Sequence, residues 1–144
     1  MSLKDGTKKM SKSELSDLSR INLTDQKDEI INKIKKAKTD PHPMPITVEE
    51  LDERPEAKNL IGIYSSLTGI NLEKSINEFA GKNFSNFKEN LSQVVVDKIT
   101  PISIEIKKLL NDKNFLDTIL LEGCKKADTI ASKKMKKIHE IVGF

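Results

Sequence analysis

The last sixty residues constrain the fold more than anything else in the chain, because their apolar positions recur at intervals of three and four. Phe84, Phe87, Leu91, Val94, Val95, Ile99, Ile102, Ile106 and Leu109 form one such series; Leu116, Ile119, Leu120, Ala127, Ile130, Ala131, Met135, Ile138 and Val142 form a second. Spacing of this kind places an apolar stripe on one face of a helix. Two long helices are therefore expected, each burying its stripe against the other, with a corner at Asp112 to Asn114 and a kink at Pro101. No alternating strand pattern occurs, and Val94-Val95-Val96 is outvoted by its helical flanks. The class is all-α, a helical bundle or orthogonal array.

The preceding residues carry shorter helical signals. Ile30, Ile31, Ile34 and Ala37 share a face, Thr24 or Asp25 can cap the start, and Lys33, Lys35, Lys36 and Lys38 predict a basic outer face near the negative end of the helix dipole. Pro41, Pro43 and Pro45 then enforce an extended connector. Thr47 and Glu50 have capping-box spacing, and Pro55 suits the first turn of a helix with Ala57, Leu60, Ile61, Tyr64 and Leu67 inward. Gly69 is a stop signal, Asn71 caps a short helix with Leu72, Ile76 and Phe79, and Gly81 ends it. Residues 1–20 hold Gly6, five serines and scattered lysines but too few apolar residues to bury a face. They read as a loop with a short helical turn from Glu14, leaving 21–144 as the helical body.

At 144 residues and 16.2 kDa the chain suits one domain and is too short for a large two-domain enzyme. With 36% hydrophobic and 33% charged residues it should be folded and soluble. The net charge of +3, with only Arg20 and Arg54 among 25 cations, permits nucleic-acid binding without demanding it. One cysteine, Cys124, excludes an internal disulfide and multi-cysteine metal sites, so a reducing compartment is the default. No apolar run approaches the roughly 18 residues of a membrane span, and residues 1–20 are too polar for a secretory signal. A cytoplasmic location without membrane attachment is expected.

Most catalytic chemistries find no support. His42, between two prolines, and His139 have no partner at a catalytic or metal-binding spacing, and read as connector and surface or packing residues. Cys124 reads as a small packed core thiol. Carboxylates are interleaved with lysines as on a solvated face, and no glycine-rich phosphate cradle or metal site is present. The leader differs: Asp5-Gly6-Thr7-Lys8-Lys9-Met10-Ser11-Lys12-Ser13 sets the ammonium groups of Lys9 and Lys12 three residues apart on a pliable segment. Mobile lysines beside hydroxyls and free amides can follow a polyphosphate whose charge shifts during reaction. By residue chemistry alone, a solvated charged tail is the competing account.

Lys9 to Ser13, KMSKS, is identical to the second signature of class I aminoacyl-tRNA synthetases. The likeness continues through Ser19–Asp25 (SRINLTD), Ile34–Asp40 (IKKAKTD), Arg54–Tyr64 (RPEAKNLIGIY) and Glu140–Phe144 (EIVGF). In order and spacing these segments resemble the tryptophanyl-tRNA synthetase family, and fit the tyrosyl enzymes less well. The resemblance implies a Rossmann half, carrying a HIGH-like motif, the tryptophan pocket and most of a homodimer interface, that this sequence does not contain. It implies ATP, with Mg2+, and L-tryptophan and tRNA(Trp) as substrates of the complete enzyme. Lys12 would be the main catalytic cation and Lys9 its assistant; Met10 would anchor the loop, while Ser11 and Ser13 would bind phosphates. The helical body would face tRNA. Lys125, Lys126, Lys133, Lys134, Lys136 and Lys137 are candidate phosphate contacts, with a solvated face the alternative. A stand-alone helical RNA-binding or interaction module is the other reading, and an intact signature argues against it.

Overall fold

Local chemistry determines where each helix starts and stops. A computed structural model of the protein describes residues 1–143, so Phe144 and the end of the EIVGF segment lie outside the described residues. Helix α1 (Lys27–Lys35) begins after Gln26, whose amide donates to Glu29 Oε2 at 2.6 Å. Neither Thr24 nor Asp25 caps it; Asp25 turns inward instead, for reasons given below. Lys33 also departs from expectation. It lies 4% exposed on the inner side of α1, while Lys35, Lys36 and Lys38 face solvent. The last carbonyls of α1 are met by Lys88, whose ammonium donates to Ala37 O at 2.6 Å and Lys35 O at 3.1 Å. Burial pushes the Lys88 pKa down.

The proline connector remains extended. Between its prolines Met44 pairs with the turn after the third helix through Met44 N to Lys82 O (2.8 Å) and Gly81 N to Met44 O (3.1 Å), with Met44 and Pro45 buried. Thr47 and Glu50 serve a single 3-10 turn, Glu49–Leu51, rather than a longer helix. Helix α2 (Pro55–Thr68) starts on Pro55 and stops at Gly69, which takes the left-handed φ of 74° that only glycine adopts without strain. Helix α3 (Leu72–Phe79) is capped by Asn71 Oδ1, accepting from Lys74 N at 2.9 Å.

Helix α4 (Phe84–Asn111) continues through Pro101, and helix α5 (Lys113–Val142) starts at Asp112, whose carboxylate accepts from Phe115 N at 3.0 Å. The five helices, with no strand among the described residues, make the chain all-α. The chain forms two compact units, Met1–Ile104 and Glu105–Phe144. The first holds the core: Ile30, Ile34, Leu60, Ile61, Ile76 and Leu91 pack around Phe79 and Phe87, whose rings meet edge-on at 4.9 Å. Tyr64 joins the rings, meeting Phe79 at 5.1 Å, and its hydroxyl donates to the Glu78 carboxylate. The second unit differs from expectation. No residue of α5 is buried, and Phe115, Ile119, Ile130, Met135 and Ile138 are exposed, so its apolar stripe is not covered. Periodicity marks an apolar face but does not supply the surface that would bury it.

Candidate functional site

The leader is tethered, contrary to its reading as a segment with nothing to bury. Ser2 N donates to Lys8 O and Leu3 N to Ser19 O, both at 2.9 Å, while Leu3 O accepts from Lys38 N at 2.8 Å. Leu3 is only 5% exposed, and Asn59 on α2 donates to Ser2 O at 3.0 Å. Gly6 lies against the first turn of α2 so closely that a Cβ would stand 2.5 Å from both Pro55 C and Pro55 O. Asp5 folds the next turn, accepting from the Thr7 hydroxyl (2.6 Å) and amide (3.1 Å) and pairing with Lys8. Those bonds, the Thr7 hydroxyl foremost, hold the Asp5 carboxyl below its ordinary pKa.

Between Lys8 and Glu14 the chain leaves the surface, and Lys9 to Ser13 are all exposed. Ser11 and Ser13 hydroxyls lie 2.8 Å apart, and Ser11 O accepts from Glu14 N at 3.4 Å, making a tight turn. Among the described residues neither Lys9 nor Lys12 enters an ion pair. The sequence-predicted residues separate into three places. Lys9 and Ser11 line a cleft of about 270 Å³ together with Lys4, Lys8, Asp5 and Glu14. Met10, itself exposed, lines a different, apolar hollow together with Leu3, Ile21, Ile63, Leu67 and Ile99. Lys12 and Ser13 line neither. The lining of this cleft sets the ammonium groups of Lys4, Lys8 and Lys9 against the carboxylates of Asp5 and Glu14, with Lys8 already paired to Asp5, so its excess of positive charge is a single unit.

The far end of the loop is held by a charged cluster that the sequence reading missed. Lys33 Nζ bonds both Asp17 and Asp25, the latter at 2.6 Å. Asp25 also accepts from Asn22 N (2.8 Å) and Asn22 Nδ2 (3.2 Å), and Asn22 Nδ2 reaches Asp17 at 2.9 Å. Arg20 pairs with Asp17 at 3.2 Å, donates from Nε to Asn22 Oδ1 at 3.2 Å, and grips Glu14 O through Nη1 at 3.1 Å. Burial alone would lower the Lys33 pKa; its bonds to Asp17 and Asp25 outweigh that and raise it, and the Lys33 bond lowers that of Asp17. The one available signal was Asp17, Asp25 and Lys33 at intervals of eight, which no periodicity argument selects. The predicted turn from Glu14 is a single 3-10 turn at Asp17–Ser19.

Elsewhere, Lys125, Lys126, Lys133, Lys134, Lys136 and Lys137 are all exposed along α5, and so is His139. His42 is exposed in the connector, where its amide donates to Asp40. Cys124 is exposed, not packed, because α5 has no buried side. Among the described residues no group of three His, Cys, Asp or Glu side chains could hold a metal ion, and no helix is long and apolar enough to cross a membrane.

Comparison with known proteins assigns this all-helical chain, with its lysine-serine loop, to a family. The family model described as tRNA synthetases class I (W and Y) matches residues 1–99, and the chain belongs to that family. All 144 residues align with the tryptophan–tRNA ligase of Agrobacterium fabrum at 51% identity, covering 41% of that protein. The ligases of Mesorhizobium japonicum and Rickettsia felis align over the same 144 residues at 47% and 46%. The chain thus spans about two fifths of the length of these relatives. A crystal structure of tryptophanyl-tRNA synthetase from Mycoplasma pneumoniae superposes on the whole chain with a TM-score of 0.69 and 24% identity, covering 45% of that chain and showing the shared fold.

Proposed function

We propose that this chain is the C-terminal part of a tryptophan–tRNA ligase and contributes the KMSKS loop, residues 1–20, and a tRNA-facing helical body, residues 21–144. The complete cytoplasmic, homodimeric enzyme converts ATP, L-tryptophan and tRNA(Trp) to tryptophanyl-tRNA, AMP and pyrophosphate; this chain alone is inactive. The observation that carries the reading is the exposed, unpaired Lys9 and Lys12 on a loop whose two ends are fixed.

As the tryptophan carboxylate attacks the α-phosphate, negative charge grows on the departing pyrophosphate. An ammonium that meets that charge lowers the barrier more than it tightens ground-state binding. Lys12 takes this role with help from Lys9, and Ser11 and Ser13 donate to phosphate oxygens. Met10, at the rim of the apolar hollow, is the side chain that would anchor the loop when it closes on the nucleotide. Mg2+ would accompany the triphosphate as its counter-ion. The lysines of α5 are candidates for tRNA phosphates.

The test is tryptophan-dependent pyrophosphate exchange after adding a separately purified N-terminal half from a relative. Exchange is expected only in the mixture. Lys12→Ala should cut kcat about 100- to 1,000-fold, the usual scale for removing a charge-stabilising donor, with a smaller change in KM for ATP. Robust exchange by this chain alone, or equal losses in both parameters, overturns the reading.

A further inference from the structure

We infer that Lys33 on α1 is a positioning residue for the signature loop, acting through Asp17 and Arg20 to fix the chain where it leaves Ser13. The inference deepens the reading of Lys9 to Ser13 as the nucleotide loop and rests on it. Lys33 stands on a helix packed into the core, between Ile30 and Ile34, so its ammonium has a fixed origin. Asp25 is equally fixed, being 5% exposed and bonded by Asn22. Asp17 is the movable partner: its side chain is 54% exposed, and Lys33 draws it inward.

With Asp17 held, one face of its carboxylate receives Asn22 Nδ2 and Arg20, and Asn22 Oδ1 receives Arg20 Nε. Two contacts at different edges of a planar guanidinium fix its orientation as one contact could not. Its remaining edge, Nη1, then faces Glu14 O. Glu14 N in turn closes the turn on Ser11 O, so the series of bonds from α1 ends inside the signature. Lys33 makes no hydrogen bond or ion pair with Lys9 to Ser13 themselves.

A buried cation between two carboxylates is a costly way to fill space, since apolar side chains of similar volume pack at least as well. Its distinguishing property is direction: the pair works only when Asp17 occupies one place. Replacing Lys33 by methionine keeps the stem but leaves Asp25 buried without its cation and frees Asp17 to swing into solvent. Arg20 then loses the partner that aims it, and Glu14 is released.

The primary test uses this chain alone, by native-state trypsin cleavage after Lys12, with unfolding temperature measured alongside. Lys33→Met and Arg20→Met are both expected to speed that cleavage about tenfold, and Arg20→Met, which leaves Lys33 paired with both Asp17 and Asp25, should do so with little change in unfolding temperature. The variant Lys33→Met with Asp25→Leu removes the buried unpaired charge and should recover stability while leaving the loop released. If its cleavage rate returns to that of the parent, or if Arg20→Met cleaves no faster than the parent, the inference is overturned. In the reconstituted exchange assay Lys33→Met should lower kcat about tenfold and shift the KM for ATP less than threefold. Cleavage does not depend on catalysis, so exchange left unchanged by Lys12→Ala would sink the nucleotide reading while leaving the positioning result intact.

Discussion

Gly6→Ala and Gly62→Ala make the same chemical change and should alter stability in opposite directions. Gly6 does not have a positive φ, so an alanine there meets no backbone strain. What it meets is main chain: Pro55 C and O at 2.5 Å and Glu56 N at 2.7 Å, none of which can rotate away. Overfilling of this kind costs about 1–3 kcal/mol. The alternative for the chain is to lift the leader from α2. That would expose Leu3, worth about 1.5–3 kcal/mol, and break two hydrogen bonds that cross the contact, Lys38 N to Leu3 O and Asn59 Nδ2 to Ser2 O, at about 0.5–1.5 kcal/mol each. Undocking therefore costs more than strain, and the leader should stay in place, weakened by about 2 kcal/mol, or roughly 30-fold in its opening equilibrium. Gly62, inside α2, has nothing within 4 Å of a new Cβ. Alanine there should stabilise by up to about 1 kcal/mol through helix propensity. Urea unfolding measures both values, and hydrogen exchange at the Leu3 and Lys38 amides reports the leader directly, because the first is bonded to Ser19 O within the leader and the second to Leu3 O across its docking contact. A Gly6→Ala protein within about 0.5 kcal/mol of the parent, with unchanged exchange at those amides, would refute the close approach and the tether built on it.

Further outcomes follow from burial and charge. Phe87→Ala, at a fully buried ring, should cost about 3–5 kcal/mol in chemical denaturation, while Phe115→Ala on α5, 47% exposed, should stay within about 0.5 kcal/mol; a large loss at Phe115 would mean its face is covered. Cys124 should react with a thiol reagent in the native protein about as fast as in urea, and protection would contradict its exposure. Burial would raise the Asp40 pKa, but the Arg54 hydrogen bonds at 2.6 and 3.0 Å and the His42 amide lower it below 3.8. A carboxyl with a depressed folded pKa contributes stability that is present above 3.8 and lost as pH falls through the folded value. The stability difference between the parent and Asp40→Asn should therefore shrink on acidification below pH 4 or so, and a difference that stays constant down to pH 2 or so would contradict the pairing.

Signals whose cause and effect lie within four or five residues were legible in the sequence. Pro55, Gly69, Asn71 and Asp112 each act on backbone groups of their own turn, and each stands where the sequence places it. Lys33 was misread for the complementary reason. Its two carboxylate partners sit on irregular segments eight and sixteen residues earlier, and a lysine near a helix end is ordinarily solvated. The docking of the leader was missed because one leucine and one glycine suffice for it: Leu3 joins the core near Ile63 and Leu67 of α2 and Val95 and Ile99 of α4, and Gly6 lets two backbones touch. Counting apolar residues cannot register a contact whose requirement is the absence of a side chain. The stripe on α5 shows the opposite failure, a pattern correctly read as helix and amphipathic face, with the covering surface assumed.

The loop geometry bears on how a pliable segment can still place charge accurately. Lys8 O is held by Ser2 and Glu14 O by Arg20, so the five residues from Lys9 to Ser13 hang between fixed points. Fully extended they would cover at most about 17 Å, and with both ends tied their excursions are much shorter. The ammonium groups of Lys9 and Lys12 are thereby confined to a region of nucleotide size without any contact restraining the lysines themselves. A cation locked into an ion pair would have to break it before following a phosphate, and would lose that energy from the step it assists; one on a free tail would lose entropy instead. For the role proposed for Lys9 and Lys12, tethering the roots and leaving the lysines unpaired would avoid both losses, with the charge network at Arg20 and Lys33 rather than at the signature.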